Sequence, residues 1–108
     1  MTVKELVEKL NLKVLVEGDL DREITGGYCG DLLSWVMGRA QSGDCWMTVM
    51  GNINAIAVAV LADTSCIVLT ENATLDEDAK ARAEMQEVTI LATEENSFTV
   101  AKKLGELL

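Results

Sequence analysis

Apolar positions along this chain alternate between two periods. Val3, Leu6, Val7 and Leu10 recur at i, i+3, i+4 and i+7, which puts them on one face of a helix. Thr2 stands just before them with Glu5 three residues on, the spacing of a capping box. Lys13 to Glu17 reads as a short strand ended by Gly18-Asp19, and Ile24 as another extended piece. The helical period returns at Leu32, Leu33, Val36, Met37 and Ala40, with Asp31 placed as N-cap, Trp35 at the edge of the stripe and Gly43 closing the segment. Cys45 to Met50 reads as a buried strand.

The segment from Asn52 to Leu61 fits two patterns. Ile56, Val58 and Val60 alternate with alanines as a strand would, yet alanine favours helix. Strands joined in parallel need a crossover of a dozen or more residues, and the interval between Met50 and Cys66 supplies one. We therefore expect a helix here, apolar nearly all round, and so buried deeply or placed at a subunit interface. Cys66 to Thr70 is the next strand. Thr74-Leu75-Asp76-Glu77 has the spacing of a second capping box before a polar helix to about Gln86. Val88 to Ala92 is the last strand, and Asn96 or Ser97 opens a final helix with Phe98, Ala101, Leu104 and Leu108 as its buried stripe. Helices and strands alternate throughout, without proline, linker or internal repeat. The pattern predicts a single α/β domain over residues 1–108, with a mostly parallel sheet flanked by helices.

Length and composition narrow the function. The chain has 108 residues, 49% of them apolar, enough for one continuous core. Its net charge of −9, with no histidine, argues against nucleic acid, whose phosphates need clustered Lys and Arg. The longest apolar run, Ala55 to Ala62, is far below the ~20 residues of a membrane span. No charged-then-apolar signal segment opens the sequence, so a soluble cytoplasmic protein is expected. Cys29, Cys45 and Cys66 match neither a CxxC pair nor a zinc-ligand set, and their odd number suggests reduced thiols. No cofactor or metal is implied. Without histidine no Ser/His/Asp or Cys/His set exists, and an enzyme is not expected.

Candidate chemistry gathers between Asp21 and Asp31, where an acid, a base, a hydroxyl and three glycines share a loop between a strand and a helix. Gly26-Gly27 followed by Gly30 fits a tight turn, or a loop that a ligand or partner approaches closely. Neither GxGxxG nor GxxxxGK is present. Arg22 is the candidate for holding an anion, with an ion pair to Asp19, Asp21 or Glu23 as the alternative. Thr48, Asn52 and Asn54 flank the end of a parallel strand, where ligands of open α/β sheets bind. Asn52 also suits a helix N-cap, whereas a polar Asn54 in an apolar helix needs a hydrogen-bond partner. Trp35 and Trp46 read as core or interface anchors.

Asp21-Arg22 followed by Thr25-Gly26-Gly27 contains, in order, the letters of the DRTGG domain, with Glu23-Ile24 between them. Gly30-Asp31-Leu32-Leu33-Ser34, Trp46-Met47-Thr48-Val49 and the run from Asn54 to Leu61 follow in the family's order, and on these residues the chain resembles that family. The resemblance implies an α/β domain similar to the N-terminal domain of HPr kinase/phosphorylase. It is also a module of some phosphotransacetylases and of CBS-domain pyrophosphatases, where it helps form a dimeric regulatory region responding to adenine nucleotides. Carried onto this chain, the signature is Asp21, Arg22, Thr25, Gly26, Gly27, Gly30 and Asp31. Two functions follow as expectations. One is a non-catalytic homodimer sensing a small ligand, such as a nucleotide, near Arg22, Thr48, Asn52 and Asn54. The other is a module that docks on an enzyme or signalling protein through its apolar crossover helix.

Overall fold

The capping box at the start of the chain is built in full. In the computed structural model, which describes residues 1–108, the Glu5 N–H donates to the Thr2 hydroxyl at 3.2 Å and the Thr2 N–H donates to the Glu5 carboxylate at 3.1 Å. The Thr2 N–H, and then the Thr2 hydroxyl donating at 3.2 Å, hold the Glu5 carboxyl below its usual range. The helix they open, α1 (Val3–Leu10), leads into β1 (Lys13–Val16), β2 (Gly26–Cys29), α2 (Leu33–Arg39), β3 (Asp44–Thr48), α3 (Ile53–Ala62), β4 (Cys66–Leu69), α4 (Glu77–Gln86), β5 (Ile90–Ala92) and α5 (Ser97–Leu107).

The strands form one sheet in the order β1-β5-β4-β3-β2. Strands β2 to β5 are parallel, and β1 closes one edge antiparallel to β5. Because the parallel strands advance in a single direction, crossovers of one hand all fall on one face. That face carries Val36 of α2, Ile56 and Ala59 of α3, and Ala79 and Ala83 of α4, packed on Trp46, Ile67, Leu69 and Ile90. On the other face Val3 and Leu6 of α1 and Val100 and Leu104 of α5 cover Cys45, Met47, Cys66, Val68 and Leu91. Successive residues of β3 and β4 serve opposite cores. This explains why both strands read as unbroken apolar runs. No helix is long and apolar enough to cross a membrane.

Several local expectations shift. The N-cap of α2 is Leu32, without a side-chain bond, so the cap expected at Asp31 is not made. Thr74 does not cap α4; the N-cap is Asp76, whose N–H is drawn to the Gly51 carbonyl at 2.8 Å by the loop before the helix. The buried stripe of α5 is Val100 and Leu104, while Phe98 and Leu108 are exposed. Helix α3 is buried only toward the sheet and its neighbours, and Val60 and Leu61 face solvent. Strand β1 carries a bulge at Leu15, since Val14 and Val16 oppose the consecutive residues Leu91 and Ile90.

Candidate functional site

The segment from Asp21 to Asp31 runs from one end of the sheet to the other. Gly26 and Gly27 are not a loop: they are the first residues of edge strand β2, paired in register with Asp44 and Cys45. Their lack of side chains permits close packing. A Cβ on Gly26 would lie 2.7 Å from the Asp44 carboxylate, and one on Gly27 would lie 3.1 Å from Leu104 and 3.2 Å from Met47. The glycine that needs its conformational freedom is Gly43, at φ 87°, packed directly against the Thr25 hydroxyl. Thr25 donates that hydroxyl to the Ser42 carbonyl at 3.2 Å and its N–H to the Gly43 carbonyl at 3.1 Å.

Arg22 does form an ion pair, but with none of its sequence neighbours. Its two terminal nitrogens reach the two carboxylate oxygens of Asp63, each at 3.1 Å, and one of them also donates to the Asp63 carbonyl at 3.1 Å. Two of the three local acids already have donors. Asp19 accepts the Asp21 N–H at 3.0 Å and Glu23 accepts the N-terminal amine at 3.1 Å, while the Asp21 residue itself is exposed. Asp63 is the left-handed C-cap of α3, at φ 56°, which turns its carboxylate toward Arg22 and the Ser42 hydroxyl. Hydrogen bonds from Arg22 and then Ser42 hold the Asp63 carboxyl below its usual range.

The remaining expected residues lie at the carboxyl ends of the strands. The Gly30 carbonyl accepts the indole N–H of buried Trp46 at 2.9 Å. Asp31 accepts the hydroxyl of fully buried Thr48 at 2.8 Å and the Val49 N–H at 2.9 Å, tying the exit of β2 to the exit of β3. Asn52 caps α3 by accepting the Ala55 N–H at 3.0 Å. Asn54 is exposed on α3, so its amide is open to solvent and needs no partner within the protein. Burial, then the Asp31 carboxylate, push the Cys29 thiol up; the hydrogen bond with Cys66, with burial, pushes the Cys45 thiol well up. Both changes suppress the thiolate needed for nucleophilic chemistry. Thus Arg22, Thr25 and Gly26 gather at the amino ends of the parallel strands, and Gly30, Asp31, Thr48 and Asn52 at the opposite ends.

Beside the Arg22–Asp63 pair lies a cavity of about 190 Å³, also lined by Thr64, Ser65 and Thr89. Ser65 gives its hydroxyl to the Asp44 carbonyl at 3.0 Å. The Thr64 hydroxyl is buried and has no partner, an arrangement that costs free energy. Asp19, Asp63 and Glu87 surround the single guanidinium. The cavity therefore suits a neutral hydrogen-bonding group better than a bare phosphate. Sequence reasoning misses Asp63 and Thr64, because Asp63-Thr64-Ser65 reads simply as a polar turn between α3 and β4.

The model of the DRTGG domain family matches residues 5–107, and the chain belongs to that family. Comparison with curated proteins finds no match. Among solved structures, the chain is similar to the CBS and DRTGG domains of the regulatory region of Clostridium perfringens pyrophosphatase, complexed with its activator diadenosine tetraphosphate. The TM-score is 0.75 at 12% identity, covering 94% of this chain and 44% of that one, so the likeness is one of fold.

Proposed function

We propose that this DRTGG domain is a non-catalytic regulatory module that acts as a cytoplasmic homodimer and senses a small ligand beside Arg22. The observation that carries the reading is the Arg22 cavity, which sets the guanidinium beside Thr64, Ser65 and Thr89. An adenine nucleotide is the first candidate. Its base and ribose supply neutral donors and acceptors for the threonines, and its phosphates would extend away from Asp19, Asp63 and Glu87. The activator of the structurally similar pyrophosphatase region is also an adenine nucleotide. The other polar groups of the motif are committed to the frame: Asp31 to Thr48 and Val49, Thr25 to Ser42. The homodimer is supported by the outer surface of α2 and α3, where Trp35 is 52% and Leu61 70% exposed, with Leu32, Met37 and Val60 also in solvent.

The test is thermal denaturation with AMP, ATP and diadenosine tetraphosphate, together with light scattering. A ligand at a hundred times its dissociation constant stabilises by about 2.7 kcal/mol, a shift of several degrees in a domain of this size. Arg22→Ala and Thr64→Val should abolish the shift with AMP, and Leu61→Glu should yield a folded monomer. A monomeric wild type with no shift overturns this reading. The exposed Val60 and Leu61 would then favour the second one, docking on an enzyme or signalling protein through α3.

A further inference from the structure

Four of the nine basic residues of this acidic chain line two adjoining hollows away from Arg22. Lys9, Lys13 and Lys103 line a groove of about 770 Å³ together with Asn72 and Thr93. Lys13 and Asn72 continue into an adjoining cavity of about 380 Å³, where Lys80 completes the set. The lysines come from four elements, α1, β1, α4 and α5, so the fold assembles the cluster and no sequence run does. Lys9, Lys13 and Lys80 make no ion pair within 4.0 Å; Lys103 is held by Glu95 at 2.9 Å. Glu94 and Glu95 also line the groove, leaving four cations against two carboxylates in a protein whose net charge is −9.

A second, independent feature marks the same spot. Glu71 and Asn72, which follow β4, both take left-handed backbone conformations, at φ 57° and 56°. Asparagine tolerates that region, so the cost falls on Glu71, and such strain is found at ligand clamps. It is held in place by hydrogen bonds from the Glu71 N–H to the Glu95 carbonyl at 2.8 Å and from the Asn72 N–H to the Thr93 carbonyl at 3.0 Å. Those loops leave the carboxyl ends of parallel strands β4 and β5, the end of an open α/β sheet where ligands sit. The Arg22 cavity lies at the opposite ends of the same strands and shares no lining residue with the groove.

We propose that this groove is a binding site for an extended small polyanion, a compound carrying two or more linked phosphates. One phosphate displaces Glu95 from Lys103 and bridges it to Lys9, and another bridges Lys13 and Lys80, while Asn72 and Thr93 donate hydrogen bonds between them. A single phosphate engages only one lysine pair and binds much more weakly. The site is independent of the ligand assigned to the Arg22 cavity.

The test is calorimetric titration of the full chain at low ionic strength with inorganic tripolyphosphate and, separately, orthophosphate. Tripolyphosphate should bind and orthophosphate should bind at least about tenfold more weakly, since each lost charge-assisted contact is of the order of one decade in affinity. Lys13→Gln with Lys80→Gln should weaken tripolyphosphate binding at least tenfold. Lys4→Gln, which removes a cation outside the groove, and Arg22→Ala should leave it unchanged. Circular dichroism confirms that each variant is folded. No binding of tripolyphosphate overturns the proposal, as does an equal loss in Lys4→Gln, which would report general charge attraction only.

Discussion

Arg22 and Asp63, 41 residues apart, meet fork to fork, with both nitrogen–oxygen distances at 3.1 Å. This pair ties the segment before edge strand β2 to the end of α3. It fixes the amino end of the DRTGG motif by a contact that no local pattern announces. Both partners are partly exposed, with side-chain accessibilities of 34% and 59%, so its energetic weight is modest. Arg22→Lys should therefore lose only about 0.2–1 kcal/mol of unfolding free energy in urea. A loss above about 2 kcal/mol would show that solvent screens the pair less than its exposure implies.

The depressed Asp63 carboxyl predicts a pH dependence of definite sign. Its folded value lies below its unfolded one, so its contribution is fully present above the unfolded value and is lost as pH falls through the folded value. Thermal midpoints measured from about pH 5 down to about pH 2 should fall less steeply in Asp63→Asn than in the wild type. Asparagine suits this test because it tolerates the left-handed backbone at φ 56°. Identical slopes would remove Asp63 from the acid response.

The Asp31 carboxylate is the acceptor for a hydroxyl with no access to water, that of Thr48. Asp31→Ala strands that donor and should cost about 1–3 kcal/mol, while Asp31→Asn retains an oxygen and should cost less. Urea denaturation of the two variants decides the matter. If both match the wild type within about 0.5 kcal/mol, the link between the exits of β2 and β3 has no energetic role.

The motif glycines are not the least replaceable ones. Gly27→Ala meets only the ends of two flexible side chains, Leu104 at 3.1 Å and Met47 at 3.2 Å, and should change stability by under about 1 kcal/mol. Gly51, outside the motif, abuts the backbone carbonyl of Thr74, which also lies in the loop that places Asp76. Gly51→Ala should lose about 1–3 kcal/mol or more, because backbone must shift to admit the methyl group. Thermal melts in which Gly27→Ala is the more damaging would reverse this ranking.

How far the sequence can be read differs from element to element. The capping box of Thr2 and Glu5 and the Asn52 and Asn96 caps are legible, since each depends on residues three apart, and the helix between β3 and β4 is legible from its alanines and the length of the crossover. The Asp31 and Thr74 caps fail for the same reason in reverse. Each residue has a plausible local role, but tertiary contacts compete: Asp31 is taken by Thr48, and the loop after Thr74 is pinned to Gly51. The stripe of α5 is misread because Phe98, the more apolar choice, lies in solvent while smaller Val100 fits under α1.

The chain by itself determines the alternation of helices and strands, the burial of β3 and β4 on both faces and the family signature, because these are written in short-range spacing and in unbroken apolar runs. Only the tertiary structure decides that Gly26 and Gly27 belong to an edge strand, that Arg22 pairs with Asp63, and that lysines from four elements line a groove and its adjoining cavity. Those outcomes depend on which strands lie side by side. Strand order is set by the packing of whole helices on a sheet, a long-range free-energy balance that leaves no mark in local spacing.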